Sequence, residues 1–326
     1  MRRVAMLALV TASWGCGPSF DPASLVTAPR LVAVVAEPPE LAYEGSSALT
    51  AVVTDPEAVA EASFGACPLS AGSTGGYACL APEVALPSDG LAAALDAAPF
   101  GAFVDALADD FARYAPMLEK GPLADDPCLG EVLSTWQACG TGDACDAAAG
   151  QGAAACLRDG GIDVTVRVHL RFDGGEAFDT YKRVRLRVPT DDHPLNRNPR
   201  LTGVRVALVD ATGEGVTLVA GGSTAIPAGA AVRLLPVLAE GSVEEWRHDG
   251  VDHRELVSFS WFTTAGSFDH GRSTADVPDV ELALPEAGSD EAVPQIDLWL
   301  VTRDDRYGAD ALGFALEVGP ADGGAP

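Results

Sequence analysis

Apolar and polar positions alternate strictly between residues 162 and 170. Ile162, Val164, Val166, Val168 and Leu170 are separated by Asp163, Thr165, Arg167 and His169. A period of two marks a strand with one buried face. After a turn at Asp173-Gly174-Gly175 the same period returns, with Val184, Leu186 and Val188 set between Arg183, Arg185 and Arg187. Nearer the start, residues 31–36 and 49–54 read as strands. Pro38-Pro39 and Asp55-Pro56 close them, and Gly45-Ser46-Ser47 turns the chain between them. Beyond residue 200 the pattern gives short strands at 202–209, 216–220, 231–238, 256–263, 280–284, 296–302 and 313–318, parted by Gly, Pro and Asp.

Between these strand-rich ends the period changes. Phe100, Phe103, Val104, Leu107, Phe111 and Tyr114 recur at helical spacing, with Asp105, Asp109 and Asp110 off the stripe. Pro99 precedes the helix and Pro116 is expected to stop it. Such a stripe packs onto its own core or meets a partner. Cys128 and Cys139 follow, then Cys145 and Cys156, with ten residues inside each pair. Gly140-Thr141-Gly142 separates the pairs and Asp143 suits an N-cap. Two antiparallel helices would set Cys128 opposite Cys156 and Cys139 opposite Cys145, leaving Cys67 and Cys79 as a local clasp; six cysteines also permit many other connectivities.

These patterns predict a mainly β protein of two immunoglobulin-like β-sandwich domains, at 30–195 and 200–320. The first carries a disulfide-rich α-helical insertion at about 64–160 that projects from it. The polar, Pro-rich stretch DDHPLNRNP (191–199) marks the boundary, and Trp261 and Trp299 are candidates for the aromatic centre of the second sandwich. Residues 321–326 read as a disordered tail.

Composition narrows the function. The chain has 326 residues, 48% of them hydrophobic, which excludes general disorder. Its net charge of −26 excludes nucleic acid as a partner, because such a surface repels phosphate. The acidity reads as solubility. The cations Arg171, Lys182, Arg183, Arg185 and Arg187 form one basic patch, read as a solvated sheet face offsetting local acidity or as a contact for anionic glycan or lipid.

The N-terminus carries Met1-Arg2-Arg3, an apolar run from residue 4 to 12, and then Ser13-Trp14-Gly15-Cys16-Gly17. This resembles a bacterial lipoprotein signal, with residues 1–15 removed and Cys16 acylated as the first mature residue. Gly15 fits the small residue before the cut. Ser13 and Trp14 depart from the usual box. Gly17, not Asp, implies by resemblance sorting to the outer membrane. Residues 17–29 are then a tether, and ordinary secretion with a free Cys16 is the alternative. Without Cys16, six cysteines remain (Cys67, Cys79, Cys128, Cys139, Cys145 and Cys156), and in an exported chain they read as three disulfides.

The order AEPPE (36–40), LTAVVTDP (49–56), NRNP (196–199), SFSWFTTAGSFD (258–269) and WLVTRDDRYG (299–308) resembles a group of surface lipoproteins common in myxobacteria and related bacteria. The resemblance covers the strand-rich ends only. It implies immunoglobulin-like domains and an envelope location, and no reaction. Asp305 and Tyr307 depart from the group's last hairpin.

Catalytic motifs are sparse. GxSxG, HExxH and GxxxxGK[ST] are absent. His248, Asp249, Asp252 and His253, with Asp269 and His270 further on, could converge on a metal ion, or form two polar hairpin tips. Asp304, Asp305 and Asp310 could hold calcium, or be a charged turn. The expectation is a non-catalytic, lipid-anchored envelope protein without cofactor or metal, membrane-bound through its lipid and meeting an envelope protein or glycan. The alternative is a metal-dependent or carbohydrate-active exported enzyme using His248, His253 and His270.

Overall fold

A computed structural model describes residues 22–119, 126–140, 142–175, 177–211, 213, 215–248 and 250–319. Cys16, the leader and the expected tail lie outside the described residues. Strand outweighs helix, at 44% against 19%, so the protein is mainly β.

The first strands are β1 (Leu31–Glu37), β2 (Glu40–Leu41), β3 (Ser46–Val53), β4 (Val59–Cys67), β5 (Val84–Ala85), β6 (Ser88–Asp89) and β7 (Ala92–Asp96). Helices α1 (Ala98–Asp109), α2 (Phe111–Leu118), α3 (Pro127–Cys139) and α4 (Asp143–Gly160) follow, then β8 (Ile162–Phe172) and β9 (Ala177–Leu186). They make a four-stranded sheet, β1-β3-β7-β6, and a five-stranded sheet, β2-β9-β8-β4-β5. One core joins both sheets: Leu49, Ala51 and Leu95 meet Phe64, Val164, Val166, Val168 and Leu186.

The helices do not project. Phe100, Val104, Leu107 and Phe111 are at most 1% exposed and belong to that same core, as do Leu129, Leu133, Ala153 and Leu157. The insertion is also smaller than expected, because β4 to β7 occupy residues 59–96 and helix begins only at Ala98. Pro99 does not precede the helix but sits in the first turn of α1, where its missing N–H is not needed. Pro116, by contrast, lies inside α2. Asp110 ends α1 first, and Pro116 is the sixth of the eight residues of α2, where its missing N–H leaves the Ala112 carbonyl without the usual helical donor. Gly142 caps α4 and Asp143 is its first residue, where a carboxylate suits the helix dipole. A Cβ at Gly150 would lie 2.3 Å from the Ala108 carbonyl oxygen, so α1 and α4 cross only because that residue is glycine.

The remaining strands are β10 (Leu201–Leu208), β11 (Val216–Leu218), β12 (Ser223–Pro227), β13 (Ala231–Leu238), β14 (Glu245–His248), β15 (Val251–Arg254), β16 (Ser258–Thr263), β17 (Ser267–Phe268), β18 (Arg272–Thr274), β19 (Val280–Ala283), β20 (Gln295–Arg303) and β21 (Ala309–Gly319). Two five-stranded sheets, β11-β10-β13-β19-β17 and β12-β21-β20-β16-β18, enclose a second core. Trp261 lies fully buried there and donates from its indole nitrogen to Ser273 Oγ at 3.1 Å. Trp299 does not. The period of two sends Ile296, Leu298 and Leu300 into the second core and Trp299 to the opposite face. There it packs with Val32, Ala33, Val52 and Val301, in a small cluster that joins β1 to β20.

Residues 191–199 are not a loose linker. The Asn198 side chain donates to the Ala36 carbonyl at 2.7 Å and to Glu37 at 2.6 Å, and accepts from Ala309 N at 2.8 Å. Asn196 donates to Asp304 and to the Arg306 carbonyl, both at 3.0 Å. The NRNP motif thus ties the first core's strands to the β20–β21 turn. The expected tether is likewise held from residue 22 onward. Val26 is buried and its amide donates to the Thr263 carbonyl at 2.7 Å.

Candidate functional site

All six described cysteines are bridged: Cys67 to Cys79, Cys128 to Cys156 and Cys139 to Cys145. The last two form the nested pairing expected of an antiparallel helix pair. The first closes a hairpin in which Leu80 N donates to the Leu69 carbonyl at 2.8 Å.

That clasped loop forms one wall of a cavity of about 520 Å³ on the outer face of the β2-β9-β8-β4-β5 sheet. Its floor is Asp163 and Thr165 of β8 with Arg183 and Arg185 of β9, paired cross-strand as Asp163 with Arg185 and Thr165 with Arg183. The loop contributes Leu69, Ser70, Ser73 and Tyr77, and the start of α3 contributes Asp126 and Pro127. Asp126 is the N-cap of that helix and accepts from Leu129 N at 3.0 Å. Gly161 lets α4 turn directly into β8. Its φ is +85°, and a Cβ there would stand 2.8 Å from the Leu186 carbonyl oxygen.

Two guanidinium groups share one carboxylate in the floor. Arg185 lies 3.3 Å from Asp163 and Arg183 lies 3.9 Å from it. Asp163 also accepts from the Tyr307 hydroxyl at 3.0 Å, while Arg183 covers the Tyr307 ring at 4.3 Å. Burial, then the charge of Asp163, raises the Tyr307 hydroxyl above its ordinary pKa. Tyr77 stacks on Tyr181 at 4.6 Å. Its φ is +57°, a left-handed conformation rare outside glycine and costing about 1 kcal/mol or more.

Arg185 also lines a second cavity of about 390 Å³, with Arg187, His193, Trp246, His253, Arg306 and Tyr307. Beneath it lies a buried ion network. Glu40 Oε2 accepts from Arg187 and Arg306, both at 3.0 Å, and from Asn196 N at 2.8 Å. Arg306 also reaches Glu244 at 3.4 Å and covers the Trp246 ring at 4.5 Å. Burial pushes the Glu255 carboxyl up to about 7 and raises Asp304 and Glu244. Lys182 donates to the Tyr307 carbonyl, and burial lowers its ammonium to about 8.

The basic patch is therefore not one cluster of unpaired cations. Arg171 meets Glu61 at 3.3 Å, Arg187 meets Glu40, and Lys182 is buried at the junction. Within the patch, Arg183 and Arg185 share the Asp163 carboxylate and face a cavity together.

The histidine candidates fall on two separate turns. Trp246 pairs cross-strand with His253 in the β14–β15 hairpin, and their rings stack at 5.3 Å. His270 follows β17, with its ring 2.9 Å from Asp269. The side chains of His248 and Asp249 lie outside the description. Among the described residues, no group of three or more His, Cys, Asp or Glu side chains could hold a metal ion. Asp304, Asp305 and Asp310 also spread apart, each accepting backbone amides: Arg306 and Gly308 on Asp304, Leu256 on Asp305, and Leu201 on Asp310.

Neither a family model nor a curated protein matches the chain. Among solved structures, it is similar to the D00-D0 domain of intimin, at 10% identity and TM-score 0.21 over 48% of this chain and 64% of that one. It is also similar to the N-terminal Ig1-2 module of the Drosophila receptor protein tyrosine phosphatase DLAR, at 9% identity and TM-score 0.23 over 89% of this chain and 98% of that one. TM-scores this low carry no weight for fold or function.

Proposed function

We propose that the protein is an exported, lipid-anchored component of the outer membrane that binds or supports and does not catalyse. Its two β cores are two immunoglobulin-like modules, and the first holds the disulfide-tied helices between its strands. Cys16 is the anchor, and the chain belongs beside the myxobacterial-type surface lipoproteins that it resembles.

The observation that carries this reading is the cysteine chemistry. Every described cysteine is bridged, and a set of disulfides spread over residues 67–156 is characteristic of an oxidising compartment. The leader of the sequence and the lone Cys16 at its end support export and anchoring. A binding or structural role is supported by where the polar side chains are spent. Glu40, Asn196, Asn198, Asp304 and Asp310 hold backbone groups or bridge the two cores.

Detergent-phase partition tests the anchor. The native protein should enter the detergent phase, and Cys16→Ser should move it to the aqueous phase and release it from membranes. Aqueous partition of the native protein, or detergent partition of the variant, would contradict it.

A further inference from the structure

Where β18, β16 and the end of β20 lie side by side, the outer face carries two arginines and no acid. Phe259 and Trp261 are buried in the second core, so the period of two turns Ser258, Ser260 and Phe262 outward. Ser273 is buried by the same rule, which leaves Arg272 and Thr274 outward on β18, the edge strand of the sheet. Strand pairing sets Arg272 beside Ser260, and Ser258 between Thr274 and Arg303 of β20. These residues line a cavity of about 460 Å³, in the range of small-molecule sites. Among the described residues, neither arginine makes an ion pair, and no Asp or Glu belongs to the lining. Burial, then the charge of Arg272, lowers the Arg303 guanidinium below its ordinary pKa.

Arg303 is held in place before any ligand arrives, which lowers the ordering cost of binding. It donates to Ser260 Oγ at 3.3 Å and to the Val32 carbonyl of β1 at 3.2 Å, and the rest of its fork stays open. Ser260 accepts that bond and keeps its own proton to donate. The acids nearest in sequence have other partners or face elsewhere. Asp304 accepts from Asn196 and from the amides of Arg306 and Gly308, and Asp305 accepts from Leu256 N. Asp269 sits against His270, and Asp276 lines the neighbouring cavity. The negative charge of the chain as a whole is screened beyond about 8 Å, so the two arginines set the potential inside the cavity. Two uncompensated guanidinium groups match a phosphate monoester, which carries about two negative charges and three acceptor oxygens. A single carboxylate would leave one guanidinium unbalanced.

We infer that this cavity binds a phosphate monoester, with Arg272 and Arg303 on the phosphate oxygens and the Ser260 hydroxyl donating to them. The site is independent of the anchor proposed above and needs no acylated Cys16. A soluble sugar phosphate and a lipid headgroup both present this group, and the two arms of the test tell them apart.

The test uses the oxidised, exported full chain carrying Cys16→Ser, which removes the acylation site. The first arm is calorimetric titration with glucose 6-phosphate and with glucose. A soluble ligand predicts a dissociation constant below about 1 mM for the phosphate, and glucose about tenfold or more weaker. That binding should also weaken by up to about tenfold from about pH 7.5 to about pH 5, where the phosphate loses its second charge. The second arm is flotation with phosphatidylcholine vesicles that contain or lack phosphatidic acid. A headgroup ligand predicts flotation only with phosphatidic acid, and either arm, if positive, supports the site. In the arm that binds, Arg272→Gln should lose about tenfold or more at an unchanged melting temperature, because that side chain has no ion-pair partner to lose. Arg303→Gln should lose as much, with the melting temperature as the check on folding. Arg205→Gln, an exposed cation on the other sheet, should change nothing. Binding in neither arm, glucose bound as well as its phosphate, flotation that ignores phosphatidic acid, or an Arg272→Gln variant that binds like the native chain would each overturn the site.

Discussion

Glu255→Gln gives a direct measure of the buried junction. The Glu255 side chain is fully buried. One oxygen accepts from Glu244 N at 2.9 Å. The other lies 3.8 Å from Arg306 and has no hydrogen-bond partner. Burial, with Asp304 and Glu244 adding repulsion, lifts its pKa from 4.5 to about 7. In the unfolded chain the carboxyl returns to its ordinary value. Between these two values the native state holds the proton more tightly, so stability falls as pH rises through the window and is flat above it. The gap corresponds to about 3 kcal/mol, at about 1.4 kcal/mol per pH unit. Glutamine keeps the acceptor for Glu244 N and carries no charge at any pH. Urea unfolding of both proteins at pH 4.5 and pH 8 should therefore show the variant gaining about 3 kcal/mol on the native protein as pH rises. A difference that does not move with pH would refute the reasoning, since it would mean that Glu255 is solvated or fully paired in the native state.

Three further outcomes follow from packing and cross-links. Serine replacement of Cys128 and Cys156 opens a separation of 28 residues and should cost about 3.5 kcal/mol; the same replacement of Cys139 and Cys145, separated by 6, should cost about 2 kcal/mol. Equal losses in denaturant unfolding would show that the helix pair stays closed in the unfolded chain. Gly150→Val drives its side chain into the Ala108 carbonyl and should destabilise by about 1–3 kcal/mol, read by thermal unfolding. Trp261→Ala empties the centre of the second core and should cost about 3–5 kcal/mol, whereas Trp299→Ala, half-buried in the small joining cluster, should cost clearly less.

The strands were legible because a buried face imposes its period on the sequence. Residues 162–170 alternate, and they lie in β8. The nested cysteine pairing was legible because equal spacing on two antiparallel helices fixes which ends meet. The two-residue period, once found, also settles Trp299: it is out of phase with Ile296, Leu298 and Leu300, so it faces away from the core they enter.

What spacing does not carry is which distant segments meet. Glu40 and Arg306 are separated by 266 positions and share a hydrogen bond. Asn196 and Asn198 look like linker residues until their partners at Ala36, Asp304 and Ala309 are known. Tyr77 sits in a stretch of Ser, Thr and Gly that reads as an ordinary turn, and nothing local shows that its loop walls a pocket over β8 and β9. The helical stripe gave its buried face correctly and left open what would cover it. Two sheets and three neighbouring helices do so, which is why the helices are part of the core and do not stand out from it.

Export, anchoring through Cys16 and closure by three disulfides are what we propose for this protein. The intact mass of the protein extracted from its native membranes, before and after reduction and thiol alkylation, tests this most directly. The account predicts a mass for residues 16–326 plus acyl groups, with six alkylated thiols appearing only after reduction. A mass that retains the leader or lacks lipid would contradict the anchor, and thiols alkylated without reduction would contradict the oxidised, exported state.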